Sequence, residues 1–154
     1  MRKMLVFYSG KCSGCHYCEI ACSFRHKKVC GRVGSLIKIL YDEKNLAGTA
    51  FFCRHCQKPL CLELCPVDAI KRNGDTGLVT IDSKTCIGCG LCLECPLGGI
   101  VLDKSRGVAV NCDLCQGEPV CVEYCPQGAL RYISPIEARF AHASLANPNK
   151  GEDK

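Results

Sequence analysis

Sixteen of the seventeen cysteines in this 154-residue chain fall into four groups whose spacing suits metal binding. Cysteine thiolates bind zinc ions and the irons of iron-sulfur clusters, and closely spaced cysteines can surround one centre. The first group has the spacing C-x2-C-x2-C-x3-C, and the other three vary the gaps. The groups are Cys12, Cys15, Cys18 and Cys22; Cys53, Cys56, Cys61 and Cys65; Cys86, Cys89, Cys92 and Cys95; and Cys112, Cys115, Cys121 and Cys125.

The last cysteine of each group is expected to serve a different centre from the first three. In C-x2-C-x2-C-x3-C-P the fourth cysteine lies one helical turn further on and ligates the other cluster of a pair. Pro66, Pro96 and Pro126 follow the last cysteine of groups two to four and prevent a longer helix there. The residues from the third to the fourth cysteine of each group are therefore predicted to form single helical turns.

Cross-ligation pairs the four groups and predicts four [4Fe-4S] clusters. Two hairpin signals, one between groups two and three and one after group three, make these two groups the inner pair, and group one then closes on group four. The predicted ligand sets are set I, Cys12, Cys15, Cys18 and Cys125; set II, Cys22, Cys112, Cys115 and Cys121; set III, Cys53, Cys56, Cys61 and Cys95; and set IV, Cys65, Cys86, Cys89 and Cys92.

Three features depart from the repeated pattern. Group three has two residues between Cys92 and Cys95 instead of three, which rotates a helical position by about 100°. Cys95 then reaches its cluster through an altered turn, or fails to reach it and leaves three clusters. Group one has Ser23 in place of the proline. Cys30 lies outside every group and is expected to be a buried thiol that packs as a small apolar residue.

The cysteine count and the chain's charge bear on its compartment and partners. An odd number of cysteines, with only about five apolar residues in the N-terminal run, favours metal over disulfides and a cytoplasmic protein. No stretch approaches the roughly 18 apolar residues of a membrane span. The net charge of +5 falls to about −3 once four clusters of charge about −2 are bound. Nucleic-acid binding is therefore not expected.

Short β-prone runs separate the cysteine groups. Glycine-containing turns over 73–77 and 104–107 predict two hairpins, Ala69–Arg72 with Leu78–Ile81 and Ile100–Asp103 with Val108–Val110. Further short strands are predicted over 4–8 and 36–40, and a short helix over 136–145, after Pro135.

The chain resembles the four-cluster ferredoxin-type subunits that serve molybdenum and tungsten pterin oxidoreductases. The residues that carry the resemblance are Cys53-Arg-His-Cys56 through Cys65-Pro66, Cys86-Ile-Gly-Cys89, and Cys112-Asp-Leu-Cys115 through Cys125-Pro126. It covers about residues 5 to 133. The lack of an anchor makes the chain most similar to the small subunits of aldehyde oxidoreductase-type tungsten enzymes, including class II benzoyl-CoA reductase.

The resemblance implies an α+β fold of two bacterial-ferredoxin-like modules, built from short hairpins and short helices. The second module is inserted in the first, so that residues 1–48 and 108–154 form the outer module and 49–107 the inserted one. It also implies a large catalytic subunit, with a tungsten or molybdenum pterin, as partner. A further redox subunit or a ferredoxin completes the expected electron path.

Two other functions fit some of the same residues. A freely diffusing polyferredoxin would carry the same clusters, and a zinc-stapled interaction module would use the same Cys-x2-Cys pairs. Neither a dinucleotide fingerprint, a nucleophile elbow nor a P-loop is present in the sequence. We therefore expect a non-catalytic electron-transfer subunit.

Overall fold

The computed structural model describes residues 3–145 as a small mixed α/β fold with short strands and few helices. Eight strands are β1 (Met4–Phe7), β2 (Lys38–Asp42), β3 (Ala47–Phe51), β4 (Ile70–Arg72), β5 (Val79–Ile81), β6 (Ile100–Asp103), β7 (Val108–Asn111) and β8 (Leu130–Ile133). The α-helices are α1 (Tyr17–Lys27), α2 (Leu60–Glu63), α3 (Val120–Glu123) and α4 (Pro135–Leu145). Single 3₁₀ turns occupy Ser9–Lys11 and Leu91–Glu94, and Leu114–Gly117 is a further turn in which Leu114, Cys115 and Gln116 have positive φ.

Each strand pairs with one antiparallel partner, giving four two-stranded ribbons. Three ribbons are hairpins, β2–β3, β4–β5 and β6–β7, and the last two confirm the hairpins predicted from the sequence. The fourth ribbon pairs β1 with β8, with Met4 opposite Ile133 and Phe7 opposite Leu130. The two ends of the described chain therefore fold together.

The three hairpin turns share one local design. Each begins with Asp42, Asn73 or Asp103, whose side-chain oxygen accepts a hydrogen bond from the backbone N–H two residues later. Four residues after that start, the chain adopts a positive φ, of 49° at Leu46, 63° at Gly77 and 67° at Gly107. Because Asn and Asp satisfy turn N–H groups and glycine tolerates positive φ, both residue types specify the reversal.

The two larger of three apolar cores lie in different parts of the described chain, and both contain cysteines. One joins buried residues of the N- and C-terminal parts, including Leu5, Ile37 and Leu130, with four cysteines. The other is formed by six buried residues from the central part: Cys61, Ile70, Val79, Cys92, Ile100 and Ala109. Cys53 packs against both cores, so the two parts of the structure meet at this residue.

An ion-pair network around one buried carboxylate joins helix α1 to hairpin β6–β7. The Asp103 carboxylate, buried at the end of β6, accepts hydrogen bonds from Lys27 of α1, from the Ser105 hydroxyl and from Arg106 Nε. Lys27, with Ser105 and Arg106, holds the pKa of Asp103 below its usual range. Since a buried charge is stable only when paired, this network fixes the hairpin against the helix.

Among the described residues, 3–145, no helix has both the length and the apolar character that crossing a membrane requires.

Replacing Asp103 with Asn tests the network, because the variant keeps the turn's shape and removes the charge. We expect a lower thermal midpoint at pH 7 for D103N than for wild type or for D75N, a control in the exposed turn of β4–β5. A carboxylate with a lowered pKa stabilises the fold above its unfolded pKa of about 3.9, so the difference should narrow only as the pH falls below that value. Circular dichroism melts of the anaerobic holoprotein would measure it, and equal midpoints at pH 7 would contradict the proposed clamp.

Candidate metal centres

All four cysteine groups use the same backbone reversal in their first loop. The residue just before the second cysteine has a positive φ in every group, 68° at Gly14, 49° at His55, 69° at Gly88 and 56° at Leu114. This left-handed conformation curls the chain tightly between the first and second cysteines. The four loops are therefore one structural repeat, although only two of them have glycine at that position.

His55 and Gly88 show why those positions are tightly constrained. Buried His55 accepts a hydrogen bond at Nδ1 from the N–H of Val79, 3.0 Å away, which ties its loop to β5. His55 therefore shapes the loop between Cys53 and Cys56. At Gly88 an added Cβ would lie 2.0 Å from the Gly107 carbonyl oxygen, so only glycine fits against hairpin β6–β7.

The last cysteine of groups two to four follows a short helix, whereas Cys22 of group one lies within the longer α1. In groups two and three the helix type matches the spacing. Cys61 and Cys65 are four residues apart around α2, whereas Cys92 and Cys95 are three apart around a 3₁₀ turn. A 3₁₀ helix completes a turn in three residues and an α-helix in 3.6. The tighter helix therefore compensates for the missing residue, and Cys95 ends one full turn after Cys92.

The chain beyond the last cysteine also repeats. Asp68, Gly98 and Gly128 each stand three residues after the last cysteine of their group and have φ values of 52°, 57° and 58°. The N–H of Gly98 bonds to the Cys95 carbonyl oxygen at 2.9 Å, as Gly128 does to Cys125 at 3.1 Å. The shortened third group thus keeps the same exit turn as the fourth.

The cysteines predicted for each outer set lie close together. All four members of set I line one cavity. Burial, followed by Glu19 and by Cys125 and Cys15 of the same set, raises the pKa of Cys18 to about 12. In set II, burial raises the pKa of Cys121, and the charges of Cys112, Cys22 and Cys115 raise it further.

The inner sets are assembled in the same way. Burial and the neighbouring charges of Cys53, Cys95 and Cys56, all of set III, raise the pKa of Cys61 to about 11. The four cysteines of set IV line a second cavity. Four mutually repelling thiolates need a cation among them, so both inner sets fit a positively charged metal core.

The spacing of the sulfur atoms fits a cluster better than a single ion. A tetrahedral zinc site with Zn–S bonds of about 2.3 Å holds its sulfurs about 3.8 Å apart. Within residues 3–145, the triplet of potential ligand atoms lying within 4.8 Å of one another is His26, Asp113 and Cys115, and no triplet consists of cysteines alone. The sets are therefore more open than zinc sites, as a multi-iron core requires.

Backbone N–H groups point at several of the sulfurs. They lie 3.2 to 3.4 Å from the Sγ atoms of five cysteines, with Ala129 donating to Cys125, Ala69 to Cys65, Leu36 to Cys22, Ala109 to Cys86 and Leu114 to Cys112. Hydrogen bonds to ligand sulfurs stabilise thiolates and set cluster potentials. All four sets include at least one such cysteine or, at Cys53 of set III, a side-chain amide donor from Asn111.

Three polar residues near the sets were not identified from the sequence. Glu19, buried in α1 between Cys18 and Cys22, accepts hydrogen bonds from the N–H of Ile39 at 2.9 Å and contacts His16 at 2.7 Å. His26 Nε2 lies 3.8 Å from Cys115 Sγ. Asn111 Nδ2 lies 3.4 Å from Cys53 Sγ. Each is a common residue type whose role depends on a distant strand or loop, so no local pattern reveals it.

Cys30 corrects one expectation. It is exposed, not buried, because it lies in the loop after α1, where the chain ends the helix at Lys28 with a positive φ. Its side chain borders an open groove between α1 and α3 that Phe24 and Tyr124 also line. Cys30 belongs to none of the four sets.

The loops, the open sulfur sets and the N–H···S bonds together define an iron-sulfur protein of the ferredoxin class. Residues 46–134 match the 4Fe-4S dicluster domain family, and the chain belongs to that family.

Two related proteins are named as subunits of a dehydrogenase and of an oxidoreductase. The chain is 36% identical over 150 residues to the aliphatic sulfonate oxidoreductase polyferredoxin-like subunit of Pyrococcus furiosus, covering 91% of this chain and 85% of that one. It is also 36% identical over 134 residues to the beta subunit of NADH-dependent phenylglyoxylate dehydrogenase of Aromatoleum evansii, covering 84% of this chain but only 30% of that subunit. The chain is thus an iron-sulfur electron-transfer protein homologous to subunits of oxidoreductase complexes.

A solved structure shares the fold. It is the active site complex BamBC of benzoyl coenzyme A reductase in complex with zinc, which aligns with a TM-score of 0.50 and 22% identity over 97% of this chain and 92% of that one.

Substituting Cys95 tests whether the shortened third group supplies a ligand. We expect Cys95→Ala to lower the iron content from about sixteen toward about twelve per chain, because set III loses one of its four thiolates. Cys30→Ala is the matched control and should leave iron unchanged. Iron analysis of anaerobically purified variants measures both, and equal iron in C95A and wild type would exclude Cys95 as a ligand.

Gly88→Ala tests the close approach of the third loop to hairpin β6–β7. The added methyl group would collide with the Gly107 carbonyl, and the positive φ disfavours alanine, so we expect set IV to lose iron. Gly74→Ala is the control, because no atom lies within 4 Å of a Cβ added there. Full iron occupancy in G88A, measured as for C95A, would show that the loop tolerates a side chain.

Proposed function

We propose that this chain holds four [4Fe-4S] clusters in sets I to IV and relays single electrons to or from the catalytic subunit of an oxidoreductase. The observation that carries the proposal is the fourfold repeat of one ligand-loop geometry, with each predicted set gathered in one place. The clusters would supply the one-electron chemistry. The chain's own groups hold the thiolates, donate hydrogen bonds to several of their sulfurs and keep all but two of the sixteen cysteines buried or half-buried.

The four sets would form one row in the order I, II, III, IV. The helical stretch from the third to the fourth cysteine of each group links two sets, as α1 does with Cys18 of set I and Cys22 of set II. One α-helical turn rises about 5.4 Å, so the two centres that such a helix joins are close neighbours. Sets II and III are linked instead through Asn111, which bonds to Cys53 Sγ and to the Cys112 carbonyl oxygen.

The exposure of the ligand cysteines agrees with this order. Among the sixteen grouped cysteines, all within the described residues, the exposed ones are Cys15 of set I and Cys89 of set IV. These are the sets at the two ends of the proposed row. Electrons would therefore enter at one exposed end and leave at the other, while the two middle sets stay more protected from water.

The order of the sets is consistent with a division of the chain into two modules. The proposed outer module comprises residues 1–48 and 108–154, and the proposed inserted module comprises residues 49–107. The two larger apolar cores follow this division except at Phe52, which is buried in the outer core, and Ala109, which is buried in the central one. The pairing of β1 with β8 closes the outer part. Hairpin β6–β7 spans the proposed boundary at residue 107, so the modules would share this ribbon. Residues 1–2 and 146–154 of the proposed outer module lie outside the described part of the chain.

The proposed partner is a large catalytic subunit that contains a tungsten or molybdenum pterin, and this chain would not itself turn over substrate. The relatives named as subunits of aliphatic sulfonate oxidoreductase and phenylglyoxylate dehydrogenase support a place in a multi-subunit complex. A ferredoxin or a further redox subunit would serve the other end of the row. We propose a reducing compartment, since every set needs its thiols unoxidised.

Metal analysis and spectroscopy test the cluster content. Anaerobically purified protein should contain about sixteen irons and little zinc, and the reduced protein should give the broadened electron paramagnetic resonance signals of coupled clusters. About twelve irons would mean that one set, most plainly set III, is incomplete. Zinc without iron would overturn electron transfer in favour of a zinc-stapled module.

The partner requires a separate experiment. An affinity-tagged chain, expressed in its native host and purified without oxygen, should bring down a large pterin-containing subunit in a fixed ratio. Recovery of the iron-loaded chain alone, under conditions that preserve weak complexes, would support a freely diffusing polyferredoxin instead.

A further inference from the structure

Asn111, the last residue of β7, makes contacts in both halves of the molecule. Its Nδ2 lies 2.8 Å from the Val79 carbonyl oxygen, 3.4 Å from Cys53 Sγ and 3.3 Å from the carbonyl oxygen of its neighbour Cys112. A primary amide has two N–H hydrogens. The short bond to Val79 uses one of them and orients the amide, which leaves the other directed toward Cys53 and shared with Cys112.

The nearby histidine does not compete for this role. His55 Nδ1 lies 3.8 Å from Cys53 Sγ, but the same nitrogen accepts the N–H of Val79 at 3.0 Å. A ring nitrogen that accepts a hydrogen bond carries no proton of its own to donate. Asn111 is therefore the side-chain donor that reaches the Cys53 sulfur among the hydrogen bonds of the described residues.

The position of this amide gives it a particular consequence. Cys53, whose sulfur the amide contacts, belongs to set III. Cys112, whose backbone carbonyl oxygen the amide also contacts, belongs to set II. A donor to a ligand sulfur stabilises the cluster state with more negative charge, which is the reduced state, and so raises the reduction potential. The effect is large where burial removes competing water, and Cys53 packs against both apolar cores.

We propose that Asn111 is a positioning residue that raises the potential of the set III cluster and fixes it against set II, at the step where electrons cross between the two modules. The inference rests on the proposed four-cluster function. One uncharged side chain would therefore influence electron transfer between sets II and III. Among the described residues, no other side chain hydrogen-bonds both to a ligand sulfur of an inner set and to the backbone of an outer-set cysteine.

Two variants separate tuning from simple support. Asn111→Leu keeps a similar volume without N–H donors, and Asn111→Asp keeps the shape but places negative charge beside Cys53. We expect the midpoint potential of one cluster to become more negative in N111L and still more negative in N111D, with the other three unchanged. Asn45→Leu is the control, since Asn45 lies in the exposed β2–β3 turn and bonds to Asp42.

Potentiometric titration followed by electron paramagnetic resonance measures these shifts, and the signal missing from C95A identifies the set III cluster. Wild-type iron content and the number of midpoints test the four-cluster function independently of Asn111. With those intact, unchanged midpoints in both variants would overturn the inference. A uniform shift of all midpoints, or loss of a cluster from both variants, would also overturn it by making Asn111 a purely structural residue.

Discussion

Four sulfur ligands must converge on each metal core from segments that lie far apart in the sequence, and this requirement organises the whole fold. Set I combines Cys12, Cys15 and Cys18 with the distant Cys125. Set III likewise combines Cys53, Cys56 and Cys61 with Cys95. The pairing of β1 with β8 brings the two ends of the described chain together, which places Cys125 near the first group. The helices place successive cysteines in neighbouring sets. Ordinary packing would not require two-stranded ribbons of such small area, which are marginal alone.

Local backbone geometry absorbs the differences among the four groups. A positive φ before the second cysteine is kept whether the residue is glycine, histidine or leucine, so each loop closes at some conformational cost in the latter two. His55 offsets part of that cost through its bond to Val79. The 3₁₀ turn at Leu91–Glu94 likewise accommodates the shortened third group. The helix type changes, whereas the turn after the last cysteine keeps its geometry.

Much of this fold was predictable because its signals are local. The cysteine spacing indicated the four groups, and glycine in the turns over 73–77 and 104–107 indicated two hairpins. Hairpin β2–β3 was half missed, with only one strand expected, because Leu46 occupies the positive-φ position where the other two turns have glycine. The full length of α1 was missed as well, since group one lacks the proline that limits the other helices to one turn. Strand β8 pairs only with β1, more than 120 residues away, and no local pattern announces such a partner.

The same distinction between local and distant signals explains which site residues could be found. Cysteines identify themselves by type, whereas Glu19 and Asn111 act through strands that the sequence places far from them. Cysteines are also part of both apolar cores, and burial raises the pKa of several of them. A buried thiol with a raised pKa stays protonated until a cation displaces the proton, so metal binding and completion of the core are one coupled step. The chain's few large aromatic residues are then no deficit, because the clusters themselves would supply the missing interior.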